Sequence, residues 1–112
     1  MNTYLIGIMF HEPDAWNLWH KGVIEDYESS SGLFVVANSA EEAIAWGEVV
    51  GETLLRHVNH DATLQWHQLG YRCWVEGNPS ASCWKHCLSH FQTVKVGTMP
   101  DFEKMTSKAY AQ

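Results

Sequence analysis

The stretch that most constrains the fold of this chain begins at Ser39 and continues to about Asn59. The order Ser39-Ala40-Glu41-Glu42 is typical of a capping box, in which Ser39 accepts the backbone N–H of Glu42 and the Glu42 side chain reaches back to the N–H of Ser39. The apolar residues that follow recur at helical spacing and define one face. These residues are Ala43, Ile44, Gly47, Gly51, Leu54, Leu55 and Val58. The pattern predicts one long amphipathic helix over about 40–58.

Small residues line part of that helical face. Ala43, Gly47 and Gly51 follow one another at four-residue spacing. A glycine inside a helix costs about 1 kcal/mol relative to alanine, so some other contact must compensate. We expect the compensation to come from close packing of the helix on a sheet. The alternative is that the two glycines form a flat surface for another chain.

The rest of the chain reads as short strands and two short helices. Strands are predicted over 3–10, 33–37, 71–76 and 91–96, with a further edge strand over 22–28. A turn is predicted over 29–32, and short helices over about 81–90 and 102–109. The fold class that follows is α+β: a small, mostly antiparallel sheet of about three to five strands with the helix over about 40–58 packed on one face.

Length and composition place the chain in one globular domain, residues 1–112. Apolar residues make up 46% of the chain and charged residues 18%, which excludes a disordered tail. No apolar run approaches the roughly 20 residues that cross a membrane, and the N-terminus has no secretory pattern. The three cysteines cannot all pair within one chain, so we expect reduced thiols and a cytoplasmic protein.

The charge balance bears on the kind of partner. The formal net charge is −6, and the seven lysines and arginines are scattered along the chain. Nucleic-acid binding needs clustered basic residues, so a nucleic-acid partner is not expected. The six tryptophans and seven histidines are many for 112 residues, and these residue types serve interfaces, pockets and metal sites.

A tryptophan pair and a following acidic segment predict a protein-binding surface. Two tryptophans in a loop-like segment beside carboxylates match the anchor-and-charge pattern of interfaces. The alternative is that both rings fold back over the core. The predicted contact residues are Trp16, Trp19, Glu25, Asp26, Tyr27 and Glu28.

A cluster of cysteines and histidines offers a second hypothesis, a small zinc-binding domain. Zinc favours four Cys or His ligands in a tetrahedron, and the candidate ligands are Cys73, Cys83, Cys87 and His90. The pairs of closely spaced cysteines found in zinc knuckles are absent. The alternative is that these cysteines are small core residues. Cys83, near a predicted helix N-terminus, could also act as a nucleophile, but no catalytic motif surrounds it.

The third hypothesis is a small-molecule site or enzyme whose aromatic pocket is lined by Trp66, Trp74 and His67. The chain contains no GxGxxG, P-loop, GxSxG or HExxH pattern, and no catalytic residue is predicted. An enzyme is therefore the less favoured class, and no cofactor is expected unless the zinc hypothesis holds.

The function that the sequence favours is binding to another protein. Inhibitors of toxins, immunity proteins and phage-encoded antagonists of bacterial defence share this small, acidic, tryptophan-rich profile. By that analogy we expect an inhibitor or immunity-type antagonist that occludes a basic partner protein, with the aromatic residues as anchors and the carboxylates facing lysines and arginines.

Overall fold

The computed structural model describes residues 1–13, 21–22, 28–82 and 84–105, with the backbone alone at 28 and 29. The predicted α+β class is confirmed: one long helix packs on a small sheet. In chain order the elements are strand β1 (Asn2–His11), strand β2 (Glu28–Ala37), helix α1 (Ala40–Asn59), strand β3 (Cys73–Val75) and strand β4 (Thr93–Lys95). Short 3₁₀ turns cover Pro79–Ala81, Leu88–His90 and Phe102–Lys104.

The four strands form one mixed sheet in the order β3-β1-β2-β4. β1 pairs antiparallel with both β2 and β3, whereas β4 runs parallel to β2. Gly7 of β1 is the centre of this arrangement, because it lies opposite Gly32 of β2 on one side and opposite Trp74 of β3 on the other. β3 and β4 are therefore the two edges of the sheet in the described part of the chain.

Helix α1 begins where the capping pattern predicts, with one difference in the cap. The Ser39 hydroxyl accepts the backbone N–H of Glu42 at 3.2 Å. The Glu42 carboxylate accepts the N–H of Asn38 at 3.4 Å, instead of the predicted N–H of Ser39. At the other end, His60 adopts a left-handed conformation with φ 52°, and its N–H bonds the carbonyls of the last turn. Both helix ends are thus satisfied by local residues.

The inner face of the sheet, which we define as the face toward α1, carries the main core. Ile6 and Ile8 are fully buried there. A Cβ atom added to Gly47 would lie 2.5 Å from the Cys73 Sγ and 3.1 Å from Ile6, and one added to Gly51 would lie 3.0 Å from Ile8. The helix backbone therefore approaches the sheet closely, which confirms the expectation drawn from the glycine spacing.

The opposite, outer face of the sheet is covered by the rings of Trp74, Trp84 and Phe91, which we call the aromatic cover. Side chains at either Gly7 or Gly32 would overlap these rings, because Trp74 lies against Gly7 and Phe91 lies against Gly32. Trp84 stacks on Trp74 with ring centroids 5.9 Å apart, and it meets Phe91 edge-to-face at 5.4 Å. The segment that follows β3 thus closes the outer face over a floor of two facing glycines.

The turn predicted over 29–32 is wrong, because these residues belong to β2. Ser31 is 1% exposed and lies opposite Ile8, and Gly32 lies opposite Gly7. Pairing with the long β1 strand outweighs the turn preference of serine and glycine. The strands predicted over 71–76 and 91–96 form only at their centres, as β3 and β4. Residues 23–27 of the predicted edge strand lie outside the described residues.

The short helix predicted over 81–90 is also wrong in the part that the structure describes, where turns replace it. Ser82 donates its hydroxyl to the carbonyl of Pro79 at 2.7 Å and accepts the N–H of Trp84 at 3.2 Å. Such local bonds compete with the helical ladder. Packing of the Trp84 ring on Trp74 favours the same turns. At the C-terminus, Phe102–Lys104 is a 3₁₀ turn and residues 106–109 are not described.

Candidate functional site

An open groove runs along the exposed flank of α1. It has a volume of about 460 Å³. We call it the carboxylate groove, and its lining residues are Glu41, Ile44, Ala45, Glu48, Val49, Glu52, Thr53 and His67. It combines three carboxylates with an apolar floor, so it can hold a group that is apolar along its stem and positively charged at its end.

Helical periodicity places these side chains together. Glu41, Glu48 and Glu52 are seven and four residues apart, which puts them on one side of a helix. The buried face of α1 includes Gly47, Gly51 and Leu54, so the carboxylates lie away from the core. Val49 is 47% exposed beside them and adds an apolar side chain to the groove.

Two of the three carboxylates are held by neighbouring residues. The Glu48 carboxylate lies 3.2 Å from Nε2 of His67, and the Glu52 carboxylate lies 3.1 Å from the Arg56 guanidinium. Glu52 also accepts the backbone N–H of Trp66 at 3.3 Å. These contacts orient Glu48 and Glu52 along the groove, whereas Glu41 is exposed at the first turn of the helix.

The electrostatic effect of the groove carboxylates reaches strand β3. Burial, together with the nearby Glu48 carboxylate, raises the pKa of the Cys73 thiol to about 12. The thiol therefore stays protonated at neutral pH. Since the thiolate is the form that attacks substrates, Cys73 is a poor nucleophile.

The residues predicted as a protein-binding surface lie almost wholly outside the described residues. Glu28 is the exception, and only its backbone is described, in β2 opposite His11. The structure does not describe the other five predicted contact residues, which are Trp16, Trp19, Glu25, Asp26 and Tyr27. The predicted surface therefore stays a prediction.

The predicted zinc ligands are not brought together in the described part of the chain. Cys73 lies on the inner face beside Gly47, whereas Cys87 belongs to the outer-face loop, where its thiol lies 3.3 Å from the carbonyl oxygen of Trp84. His90 is exposed in a 3₁₀ turn, and Cys83 is outside the described residues. Among the described residues, no three Cys, His, Asp or Glu side chains are placed to hold one ion. Cys73 and Cys87 are free thiols.

The pocket predicted from Trp66, Trp74 and His67 does not form, because the sheet separates the two indoles. Trp66 is 1% exposed beneath α1, and its Nε1 donates to the carbonyl of Met9 at 2.8 Å. Trp74 lies on the outer face against Gly7. His67 contacts the Trp66 ring edge-on but extends into the carboxylate groove.

A buried polar cluster lies at the end of β1. Nδ1 of His11 lies 2.5 Å from the Tyr71 hydroxyl, and the His11 carbonyl accepts Nδ2 of Asn59 at 2.9 Å. Burial lowers the pKa of His11, which favours the neutral imidazole. This cluster fastens the end of β1 to the end of α1 and the start of β3.

Sequence reasoning missed the carboxylate groove and the aromatic cover. The groove had a signal, the spacing of Glu41, Glu48 and Glu52 on a helix whose other face is apolar, but Glu41 was interpreted only with the capping box. The aromatic cover had a weaker signal, Gly7 in the middle of the apolar strand predicted over 3–10. The long-range pairing of Gly7 with Gly32 gives that signal its meaning.

No family model, curated protein or solved structure matches this chain. Among the described residues, no helix combines the length and the apolar character needed to cross a membrane.

Proposed function

We propose that this chain is an acidic protein-binding module, of the inhibitor or immunity type, that occludes a basic surface of another protein. The observation that carries the proposal is the carboxylate groove, in which Glu41, Glu48 and Glu52 border exposed apolar side chains of α1. The net charge of −6 supports it, because a charge of one sign steers a partner of the opposite sign toward contact. We further propose a cytoplasmic location, in keeping with the free thiols of Cys73 and Cys87.

The groove suits a lysine or arginine side chain from the partner. The aliphatic stem of such a side chain would cover Ile44 and Val49, and its charged end would reach Glu41 or Glu48. Since Glu48 and Glu52 already have oriented carboxylates, little side-chain entropy is lost on binding. A phosphate backbone would instead be repelled by the same groups.

The test is a comparison of two triple variants with equal charge. The groove variant is Glu41→Gln, Glu48→Gln and Glu52→Gln. The control variant is Glu12→Gln, Asp101→Asn and Glu103→Gln, none of which lines the groove or adjoins β3. The probe is a fluorescent peptide of alternating lysine and valine, measured by anisotropy at low and physiological salt. We expect the groove variant to bind at least about tenfold more weakly than the control.

Equal losses in the two variants would show that net charge alone attracts the probe and would overturn the groove as a site. Absence of binding by the unchanged protein would overturn the proposal as a whole. The same two variants, used as baits, then identify which captured basic protein depends on the groove.

The surface predicted from sequence has its own test. Trp16→Ala combined with Trp19→Ala should abolish capture of that partner and leave the melting temperature nearly unchanged if the rings are interface anchors. A large fall in melting temperature would place both rings in the core and would contradict the prediction.

A further inference from the structure

We infer that the partner is bound by strand addition: an extended basic segment pairs with the outer edge of β3 and directs alternate lysine or arginine side chains into the carboxylate groove. This inference rests on the proposed function and adds the recognition mode and the partner's chemistry.

The first argument is the hydrogen-bond register of β3. The N–H of Met9 bonds the carbonyl of Arg72, and the N–H of Glu76 bonds the carbonyl of Leu5. Residues 72, 74 and 76 are therefore the hydrogen-bonded positions toward β1. In an antiparallel pair the intervening residues direct their backbone groups the other way. The N–H and C=O groups of Cys73 and Val75 thus point out of the sheet.

That edge has no neighbouring strand in the described part of the chain, where β3 ends the sheet order. No charged side chain of β3 covers the inner side of the edge, since Cys73 and Val75 are the residues that face α1 there. Natural sheets commonly protect exposed edges with charges, bulges or covering loops. A bare edge with outward donors and acceptors is the surface that β-strand addition uses.

The second argument is the direction of α1 relative to that edge. Gly47 approaches Ile6, and Gly51 approaches Ile8. The helix therefore lies over β1 and runs in the same direction as that strand. Gly47 also approaches Cys73, which places the β3 flank of the helix beside Glu48. The Glu48 side of the carboxylate groove therefore lies next to β3, on the flank of the helix where an added strand would pair.

The spacing of the carboxylates matches an extended chain. Side chains two residues apart in a strand share a face and are separated by roughly 6.6 Å. Glu48 and Glu52 are four residues apart on α1, which corresponds to a rise of about 6 Å. Basic side chains at alternate positions of an added strand can each meet one carboxylate. The positions between them fall on the outer face, beside Trp74, and favour apolar side chains there.

The negative charge of the carboxylate groove favours a different protein over a second copy of this chain as the occupant of the β3 edge. Two copies joined through β3 would bring two carboxylate grooves together, and like charges in close contact are unfavourable. A segment that alternates lysine or arginine with apolar residues satisfies both faces at once. The partner class is thus a protein with an exposed, extended segment of this alternating pattern.

The experiment uses the full chain and three peptides of alternating lysine and valine. One peptide is unmodified, one carries N-methyl groups on its lysines, and one carries them on its valines. In an antiparallel added strand the groove-facing lysines direct their N–H groups to β3, and in a parallel one the valines do. One methylated peptide should therefore bind roughly tenfold more weakly or worse, and the other should bind like the unmodified peptide.

Amide hydrogen exchange followed by NMR gives a second readout. With the unmodified peptide at saturation, the N–H groups of Cys73 and Val75 should exchange several-fold more slowly, whereas that of Glu76, already bonded to Leu5, should change little. Protection of these two amides together with the selective effect of one methylated peptide supports strand addition.

The outcomes separate this inference from the proposed function. If the unmodified peptide binds, and the groove variant weakens it, but both methylated peptides bind equally and the two amides are unprotected, strand addition is overturned and the groove stands. If the chain alone is a dimer with Cys73 and Val75 protected, a second copy occupies the edge and the inference is overturned. If no peptide binds, the proposed function fails with it.

Discussion

On both faces of the sheet, glycines allow a second layer to pack closely, but the glycines lie in different layers. On the inner face the glycines belong to the helix, and the sheet and its flanking loop supply the bulk, from Ile6, Ile8 and Trp66. On the outer face the glycines belong to the strands, and the rings come from β3 and the loop after it. On each face, the layer that carries the glycines is therefore the one whose backbone the other layer approaches closely.

The largest expected effect comes from the outer face. Gly7→Ala would place a Cβ within the Trp74 ring, which is itself stacked on Trp84. We expect a loss of about 3 kcal/mol in the free energy of unfolding, measured by urea denaturation. The control is Gly77→Ala, where no atom lies within 4 Å of the added Cβ. A loss no larger than that of the control would show that the aromatic cover is loosely packed.

The inner face should be less sensitive. Gly47→Ala would bring a Cβ to 2.5 Å from the Cys73 Sγ. Overpacking costs about 1–3 kcal/mol, and the gain in helix propensity returns about 1 kcal/mol. We expect a net loss of about 1 kcal/mol in thermal or urea denaturation. Adding Cys73→Ala should recover part of it, because the clashing sulfur is gone. Failure of that rescue would assign the loss to Ile6, which lies 3.1 Å from the added atom.

The polar cluster at the end of β1 predicts how stability depends on pH. Burial lowers the pKa of His11 from its ordinary value of 6.5, so the folded state binds its proton later than the unfolded state as pH falls. The contribution of His11 to stability is therefore present above about pH 7 and is lost progressively below the unfolded pKa. Urea midpoints measured between pH 8 and pH 5 should fall on acidification, and His11→Gln should flatten that slope. An unchanged slope would assign the pH dependence to other groups.

The smallest effect is expected at the C-terminal end of α1, on the inner side of the sheet. His60 has φ 52°, a conformation that suits glycine better than a residue with a side chain. His60→Gly should change the free energy of unfolding by less than about 1 kcal/mol, in the stabilising direction, because relief of strain exceeds the added chain entropy. Calorimetry of the two proteins gives the sign, and a lower melting temperature would show that the His60 side chain makes a compensating contact.

The sequence predicted the inner face well because its signals are local. The Ser39 cap, the helical spacing of apolar residues and the glycines at 47 and 51 all lie within one segment, and the α+β class followed from this helix together with the predicted strands. The Glu42 contact differed by one residue, since Asn38 competes for the same carboxylate.

The outer face and the site depended on contacts between distant residues. Nothing local at Ser29 or Gly32 reveals that β1 is long enough to pair through them. The separation of Cys73 from Cys87, and of Trp66 from Trp74, arises because the sheet lies between the members of each pair. Glu48 contacts His67 and lies near Cys73 of β3, and both of these residues approach the helix only after the chain has folded.

The stacked indoles of Trp74 and Trp84 provide the molecule with an optical label of its own. Two nearly parallel indoles couple their electronic transitions, so the outer face contributes a circular dichroism signal separate from that of the helix. Following both signals through one thermal melt compares the two sides of the sheet without any attached dye. Coincident curves would mean that the loop and the helix unfold as a single cooperative unit.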